Sequence, residues 1–393
     1  MSKIEYSIEI CTKSLNKSGE ELCGDCVEIV REKDYVIVVL ADGLGSGVKA
    51  NILGTLTAKI AATMLKKGAT LSETVDTIVR TLPECSVRKM AYSTFTIAKI
   101  MNDGSVYTVE FDNPKFFLLR DGHLMETPKK KTLISGKTIY ERWFQMDEKD
   151  VLVLISDGVL YAGAGMSLNL GWQWDDVSEF LKSLSKKEKT AFSMVYQLLE
   201  VVDNLYKKMP GDDSTVVGIK LHTAKVLNLF VGPPTDKEDD EELVKRILSA
   251  KGKVVVSGGT TANILAKYTG KELDPDLSTY TKEVPPVAYL EGIDLVTEGV
   301  ITLNKTISLL KEYLHPKKDS HVFREIHEKN GASRLAKMII EDCTELNITL
   351  GMAVNANHQN PDFPLDFSIK VKQVEELRSL AELLLKKVNI EYL

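Results

Sequence analysis

YVIVVLADGLGSGVKA (residues 35–50) opens on a continuous apolar run, places an aspartate at 42, turns through three glycines and then takes up helical spacing. An unbroken apolar run of that length marks a strand buried on both faces. Ile52, Leu56, Ile60 and Leu65 carry the helical spacing through residues 48–66, and Gly68 ends it. Strand, glycine turn and helix are also the grammar of a dinucleotide-binding turn. That fingerprint is G-x-G-x-x-G; here Gly43, Gly45 and Gly47 bring the third glycine one place early, with Val48 in its slot. Asp42 would also set a negative charge beside the pyrophosphate, so the dinucleotide reading is set aside.

Outward from this stretch, residues 6–12 and 23–30 read as further strands, and a helix over residues 72–82 starts at an N-cap Ser72 and closes at Pro83. Residues 92–120 hold three β-rich runs separated by Asn102-Asp103-Gly104 and Asp112-Asn113-Pro114, which predicts a meander. A strand over 151–155, helices over 172–184 and 188–207, and a strand over 214–221 complete a block whose strands and helices cluster separately. That grouping predicts an α+β sandwich for residues 1–223. Beyond it, residues 226–231, 238–250, 253–257 and 260–268 alternate strand, helix, strand, helix, which predicts a smaller α/β, Rossmann-like three-layer domain over 224–393.

One pattern recurs in the first block: an acid at a strand end or in the turn beside it. It appears in Gly24-Asp25, Ala41-Asp42-Gly43 and Ser156-Asp157-Gly158, and again before a strand in Gly211-Asp212-Asp213-Ser214-Thr215. Asp-Gly alone is an ordinary turn dipeptide. Four such acids that can meet at one sheet edge are different, because a carboxylate stripped of its hydration is costly unless paired or bound to a cation. Converging aspartates suit a hard divalent ion with oxygen ligands, Mn2+ or Mg2+, and Gly43 lets the backbone approach and offer its carbonyl.

In order and spacing, G-D (24–25), ADGLGSGVKA (41–50), N-P (113–114), ISDG (155–158) and GDDSTV (211–216) resemble the metal-dependent protein phosphatases of the PP2C superfamily, and within it the bacterial sporulation stage II protein E branch. The resemblance covers about residues 5–222. It implies an αββα sandwich of two antiparallel sheets with two Mn2+ or Mg2+ ions at one end. Asp42 would bridge the ions with the Gly43 carbonyl beside it, Asp157 and Asp212 would hold one ion, and Asp25 would support the other. Asp213, where many relatives have Asn, falls to an outer shell or a third ion. The implied reaction is hydrolysis of phosphoserine or phosphothreonine on a regulatory protein, by in-line attack of water activated between the ions. A non-catalytic docking module on the same fold and a small-molecule phosphatase are the alternatives. The sporulation member carries membrane helices ahead of its catalytic domain, whereas here the catalytic block comes first, so the expected role is not tied to sporulation.

Composition agrees with a globular protein: of 393 residues 44% are hydrophobic and 27% charged, and the net charge of −6 argues against an electrostatic nucleic-acid binder. No apolar run reaches the roughly 18–20 residues of a membrane span, and the N-terminus lacks the basic flank and apolar core of a signal peptide, so a cytoplasmic location is expected. Five cysteines, Cys11, Cys23, Cys26, Cys85 and Cys343, suit a reducing compartment, and the lone C-x-x-C at 23–26 has no second pair for zinc. None of the six histidines adjoins an acidic motif. Lys13 and Lys17 read as solvated surface and Ser46 as an N-cap; Arg88 and Lys89 are candidates for touching substrate.

In the C-terminal half, Val254 to Asn263 (VVVSGGTTAN) reads as a buried strand, a Gly-Gly turn and a helix with hydroxyls in its first turn, so Gly258, Gly259 and Thr260 form a candidate anion site; it lacks the lysine of a P-loop. A strand over 348–354 running into Asn355-Ala356-Asn357-His358-Gln359, with Asp294 and Glu298 near another strand end, adds polar lining. Leu377, Leu380, Leu384 and Val388 predict one face of a C-terminal helix. The expected partners are a phosphorylated regulatory protein, a small ligand on the C-terminal domain and a second copy of the chain in a homodimer, with neither nucleic acid nor membrane.

Overall fold

Alternation along the strands sorts the apolar side chains of the first of two compact units, Met1–Thr223, into three layers. The computed structural model describes residues 5–81, 93–317, 320–353 and 365–393. The strands of this unit are β1 (Ser7–Leu15), β2 (Asp25–Arg31), β3 (Tyr35–Gly43), β4 (Ser93–Met101), β5 (Ser105–Phe111), β6 (Phe117–Arg120), β7 (His123–Leu124), β8 (Lys129–Ile134), β9 (Lys137–Gln145), β10 (Asp150–Ile155) and β11 (Ser214–His222). Its helices are α1 (Gly47–Lys66), α2 (Leu71–Thr81), the single turn α3 (Asp157–Leu160), α4 (Trp174–Ser185) and α5 (Ala191–Leu205). One sheet runs β1-β11-β10-β6-β7 and the other β2-β3-β4-β5-β9-β8, with every pairing antiparallel.

β3 shows why the sheets stack. Val36, Val38 and Leu40 face the other sheet, meeting Leu152 and Leu154 of β10 and Val217 and Ile219 of β11. The alternate residues Ile37, Val39 and Ala41 meet Ala58 and Ala61 of α1 and Ile78 of α2. On the far side, Val151, Val153 and Ile155 of β10 pack on Leu181 of α4 and Leu198 of α5. The result is the expected αββα sandwich of two antiparallel sheets flanked by helices.

Three local expectations change in this unit. The predicted meander does not hold: β4 pairs with β5, but β6 crosses to the other sheet and pairs with β10, because the Asp112-Asn113-Pro114 turn redirects the chain; Asp112 itself has φ +50°. The β8–β9 hairpin, lysine-rich along β8, takes the edge position instead. Helix α2 starts at Leu71, so Ser72 is not its cap. Thr70 caps it, accepting from the Glu73 N–H at 3.2 Å while the Glu73 carboxylate accepts from the Thr70 N–H at 2.8 Å. Ser46 occupies the N-cap position of α1 without capping it; its hydroxyl donates to Glu20 Oε1 at 3.0 Å, the stronger charged acceptor.

The second unit, Ala224–Leu393, contains β12 (Val226–Val231), α6 (Asp240–Ser249), β13 (Lys253–Ser257), α7 (Gly259–Thr269), β14 (Asp274–Asp276), β15 (Val287–Tyr289), β16 (Leu295–Thr297), α8 (Val300–Leu314), α9 (Val322–Glu325), α10 (Gly331–Glu341), β17 (Glu345–Leu350), α11 (Leu365–Leu383) and β18 (Lys387–Tyr392). Its sheet order is β14-β15-β16-β13-β12-β17-β18. The five strands from β16 to β18 are parallel, and β15 joins β16 antiparallel. Val254 and Val256 pack with Leu243 and Ile247 of α6 and Leu265 of α7, while α8 lies against α10 and α11. The predicted C-terminal helical stripe is shorter than expected: Leu377 and Leu380 are buried on α11, but the helix ends at Leu383, and Val388 belongs to β18, where it pairs with Leu346. Among the described residues no helix is long and apolar enough to cross a membrane.

Candidate active site

Asp25 is the first residue of β2 and Asp42 the penultimate residue of β3, and the antiparallel register sets them directly opposite each other. In the other sheet β10 ends at Ile155 and β11 begins at Ser214, so Asp157, at the start of α3, and Asp212, just before β11, leave that sheet at one edge. The electrostatics show that all four acids share a neighbourhood. The Asp42 carboxyl is held far above the ordinary carboxylate range by burial and then by the charges of Asp25, Asp157 and Asp212, and it also hydrogen bonds with Asp157. Burial likewise raises Asp25, against the pull of hydrogen bonds from Ser156 and Thr215. Asp212 is raised by burial and by Asp157.

Backbone and hydroxyl contacts tie the two sheets together beneath these acids. The Ser156 hydroxyl donates to Asp25 Oδ2 at 2.7 Å and accepts from the Thr215 N–H at 2.8 Å. Asp213 spends its two oxygens on the β1–β2 loop, accepting from the N–H of Lys17 at 2.9 Å and of Gly24 at 2.9 Å. Asn113 donates to Thr96 Oγ1 at 2.8 Å and to the carbonyl of Ile155 at 3.2 Å, pinning the strand end that precedes Asp157. Tyr206 donates its phenol proton to the carbonyl of Gly158 at 2.8 Å. The Gly43 N–H donates to the Gly24 carbonyl at 3.2 Å, and a β-carbon at Gly43 would fall 2.0 Å from the carbonyl oxygen of Ala50, so only glycine lets α1 come this close to β3.

The sequence pattern found the acids but not their supports. Ser156 and Asn113 lie inside quoted motifs without an assigned role, and Tyr206 carried no signal, since nothing local marks a tyrosine near the end of a helix as a partner for a distant carbonyl. The lysines also differ from expectation. Lys13 is not a solvated surface residue: its ammonium lies 3.7 Å from the centre of the Tyr196 ring, and burial lowers its pKa. Lys17 is half-buried and its charge draws Asp212 downward. Arg88 and Lys89 lie outside the described residues, as does the 355–359 cluster. His222 sits at the far end of β11 and pairs with Glu9 at 2.7 Å.

A metal ion is tested by the donors themselves. They are carboxylates and a carbonyl, the hard oxygen set that suits Mn2+ or Mg2+, and Asp25 Oδ1 is buried without a hydrogen-bond partner. Among the described residues, however, no group of three or more His, Cys, Asp or Glu side chains already stands as a ligand cage. The donor chemistry fits the ions while the side chains are not drawn together around a common point.

Residues 32–222 match the family model described as Stage II sporulation protein E (SpoIIE), and the second unit lies outside that match. None of the curated proteins matches the chain. Among solved structures it is similar to the phosphatase domain of the cell fate determinant SpoIIE from Bacillus subtilis, with 20% identity over 56% of this chain and 94% of that one and a TM-score of 0.44. It is similar also to the RsbU and RsbW domains of a Mycobacterium tuberculosis protein, at 15% identity over 62% of this chain and 68% of that one with a TM-score of 0.47. The SiaA-PP2C domain of Pseudomonas aeruginosa gives 14% identity over 53% and 85%, with a TM-score of 0.43.

Proposed function

We propose, from the SpoIIE-type, PP2C-superfamily character of residues 32–222, that the first unit is a metal-dependent phosphatase acting on phosphoserine or phosphothreonine of a regulatory protein. The observation that carries the reading is the placement of Asp25 directly opposite Asp42 at the end of the β2–β3 ladder, with Asp157 and Asp212 at the adjacent ends of β10 and β11 in the other sheet; burial and then the charges of the other three acids raise Asp42. Asp42, with the Gly43 carbonyl beside it, and Asp25, Asp157 and Asp212 are the residues that would hold Mn2+ or Mg2+. Such an ion supplies, when bound, positive charge for the phosphoryl oxygens and a lower pKa for water.

The remaining work falls to the chain. Ser156 fixes the Asp25 carboxylate by taking one of its oxygens, and it is itself fixed by the Thr215 N–H. Asp213 fastens the loop carrying Gly24 and Lys17, which keeps Asp25 at the mouth of the sandwich and leaves Asp213 an outer-shell role. Lys17 brings positive charge beside Asp212, where a phosphoryl group could meet it.

The test is turnover of phosphoserine and phosphothreonine peptides with saturating Mn2+, alongside sugar phosphates as competitors. Peptide hydrolysis that disappears in Asp42→Asn supports the proposal. A folded chain that binds Mn2+ and turns over nothing is a docking module, and preference for the sugar phosphates makes it a small-molecule phosphatase.

A further inference from the structure

The second unit has a cavity of its own. From β12 the chain moves outward to β13 and β16 on one side, then returns to β17 and β18 on the other, so the strand order reverses beside β12. In open parallel sheets such a reversal opens a crevice at the carboxyl ends of the strands. Beside that reversal, at the carboxyl ends of β12, β13 and β16, lies a cavity of about 320 Å³, lined by Gly232 after β12, Gly258 to Thr260 after β13, Glu298 and Gly299 after β16, and Lys370 of α11.

Several groups converge on it from separate elements. Gly258 has φ +130°, a conformation that favours glycine, and it starts α7 with no side-chain cap. The first-turn N–H groups of that helix therefore lack intrahelical acceptors. A β-carbon at Gly258 would lie 3.7 Å from Thr261 Oγ1 and 3.8 Å from the Gly232 nitrogen, so the Thr261 hydroxyl faces the space this glycine leaves open. Thr261 is fully buried and its hydroxyl has no hydrogen-bond partner. Lys370 Nζ reaches the same loop, 3.5 Å from where a β-carbon on Gly232 would stand, and its contact with the Ala353 carbonyl is long, at 3.4 Å. The acid in the lining, Glu298, turns its carboxylate onto the N–H groups of Ile301 and Thr302 at 3.0 and 3.3 Å, capping α8, and the helix N-terminus offsets part of its charge. Val231, Val300 and Ile301 give the rest of the wall an apolar character, and the volume lies within the range of organic-ligand pockets.

We infer that the second unit binds a phosphorylated small metabolite in this cavity, with the phosphate on the first turn of α7 beside Lys370 and the organic portion against Val300 and Ile301. Open N–H groups with a lysine form a phosphate cradle, and the apolar wall distinguishes a phosphate ester from the free ion. The inference concerns the second unit alone and does not depend on the phosphatase reading.

Calorimetric titration of the full chain in EDTA with AMP, glucose 6-phosphate, inorganic phosphate and adenosine tests it. At least one phosphate ester should bind saturably, and more tightly than inorganic phosphate or adenosine. Lys370→Gln should weaken that binding by roughly tenfold or more, as loss of a charge-assisted contact does. Gly259→Asp, at a position where an added β-carbon meets nothing, should do the same by setting a carboxylate in the phosphate's place, while Asp42→Asn should keep the affinity. No binding by either ester up to millimolar concentration overturns the inference. So does inorganic phosphate binding as tightly as the esters, binding unaffected by both second-unit variants, or binding lost in Asp42→Asn.

Discussion

Asp25 and Asp42 stand opposite each other across the β2–β3 ladder, each raised by burial and by the charge of neighbouring acids. In an antiparallel pair, like charges directly opposite are destabilising. The fold therefore holds a stability cost at the position its proposed chemistry needs.

Asp42→Asn should stabilise the metal-free protein while abolishing phosphatase activity. The sign follows from linkage: the Asp42 carboxyl is pushed from an ordinary 3.8 up to about 9, so between those values the folded state holds the proton that the unfolded state has lost, and stability falls as pH rises. Thermal melts in EDTA should show the wild type losing Tm across that window more steeply than the variant. Near neutral pH the variant should melt higher by several degrees, since about 1 kcal/mol moves Tm by roughly 2–4 °C in a domain of this size. Equal slopes for the two proteins would falsify the assignment of the repulsion to Asp42.

Ser156→Ala removes the donor to Asp25 and the acceptor for the Thr215 N–H together. Both groups are buried, so the loss should cost about 1–3 kcal/mol in denaturant unfolding. Activity should fall further than stability, with more Mn2+ needed for half-maximal turnover, because Asp25 loses the contact that sets its orientation. Ser156→Thr, which keeps the hydroxyl, should recover part of both if the added methyl is accommodated.

How much of this was legible beforehand differs by level. The acids were readable because each sits at a strand end flagged by glycine, and β3 because seven apolar positions in a row at 35–41 leave no solvent face. The path of the third β-rich run was not, since its crossing to the other sheet depends on how Asn113 bonds to Ile155 and Thr96, contacts between residues far apart in the chain. The same holds for the Asp213 contacts: the sequence reading leaves this acid to an outer shell or a third ion, and only the fold shows both of its oxygens receiving backbone N–H groups from the loop before β2. The cap of α2 failed for a local reason, because Thr70 with Glu73 makes a reciprocal pair that outcompetes Ser72.

Asp213→Ala should release the β1–β2 loop, leaving the N–H groups of Lys17 and Gly24 without their acceptor. Hydrogen exchange at those two amides should accelerate while the β3 and β4 amides, in the interior of their sheet, keep their protection. The Mn2+ concentration needed for half-maximal turnover should rise by roughly 10–100-fold, the usual effect of removing an outer-shell support. Unchanged exchange at Lys17 and Gly24 would show that the loop is held by something else.

Mn2+ binding should expel protons. Asp42 and Asp25 are raised to about 9 and about 7, so near neutral pH the cluster retains protons that a cation must displace, because carboxylates ligate only when ionised. Titration calorimetry in buffers of different ionisation enthalpy should therefore report net proton release at neutral pH. Affinity should rise from about pH 6 to about pH 8, with the slope set by the number of protons released. Asp42→Asn should both weaken binding and flatten that dependence, since the group with the largest shift is gone. Binding as tight at the acid end of the range as at the alkaline end would place the ion away from these carboxylates.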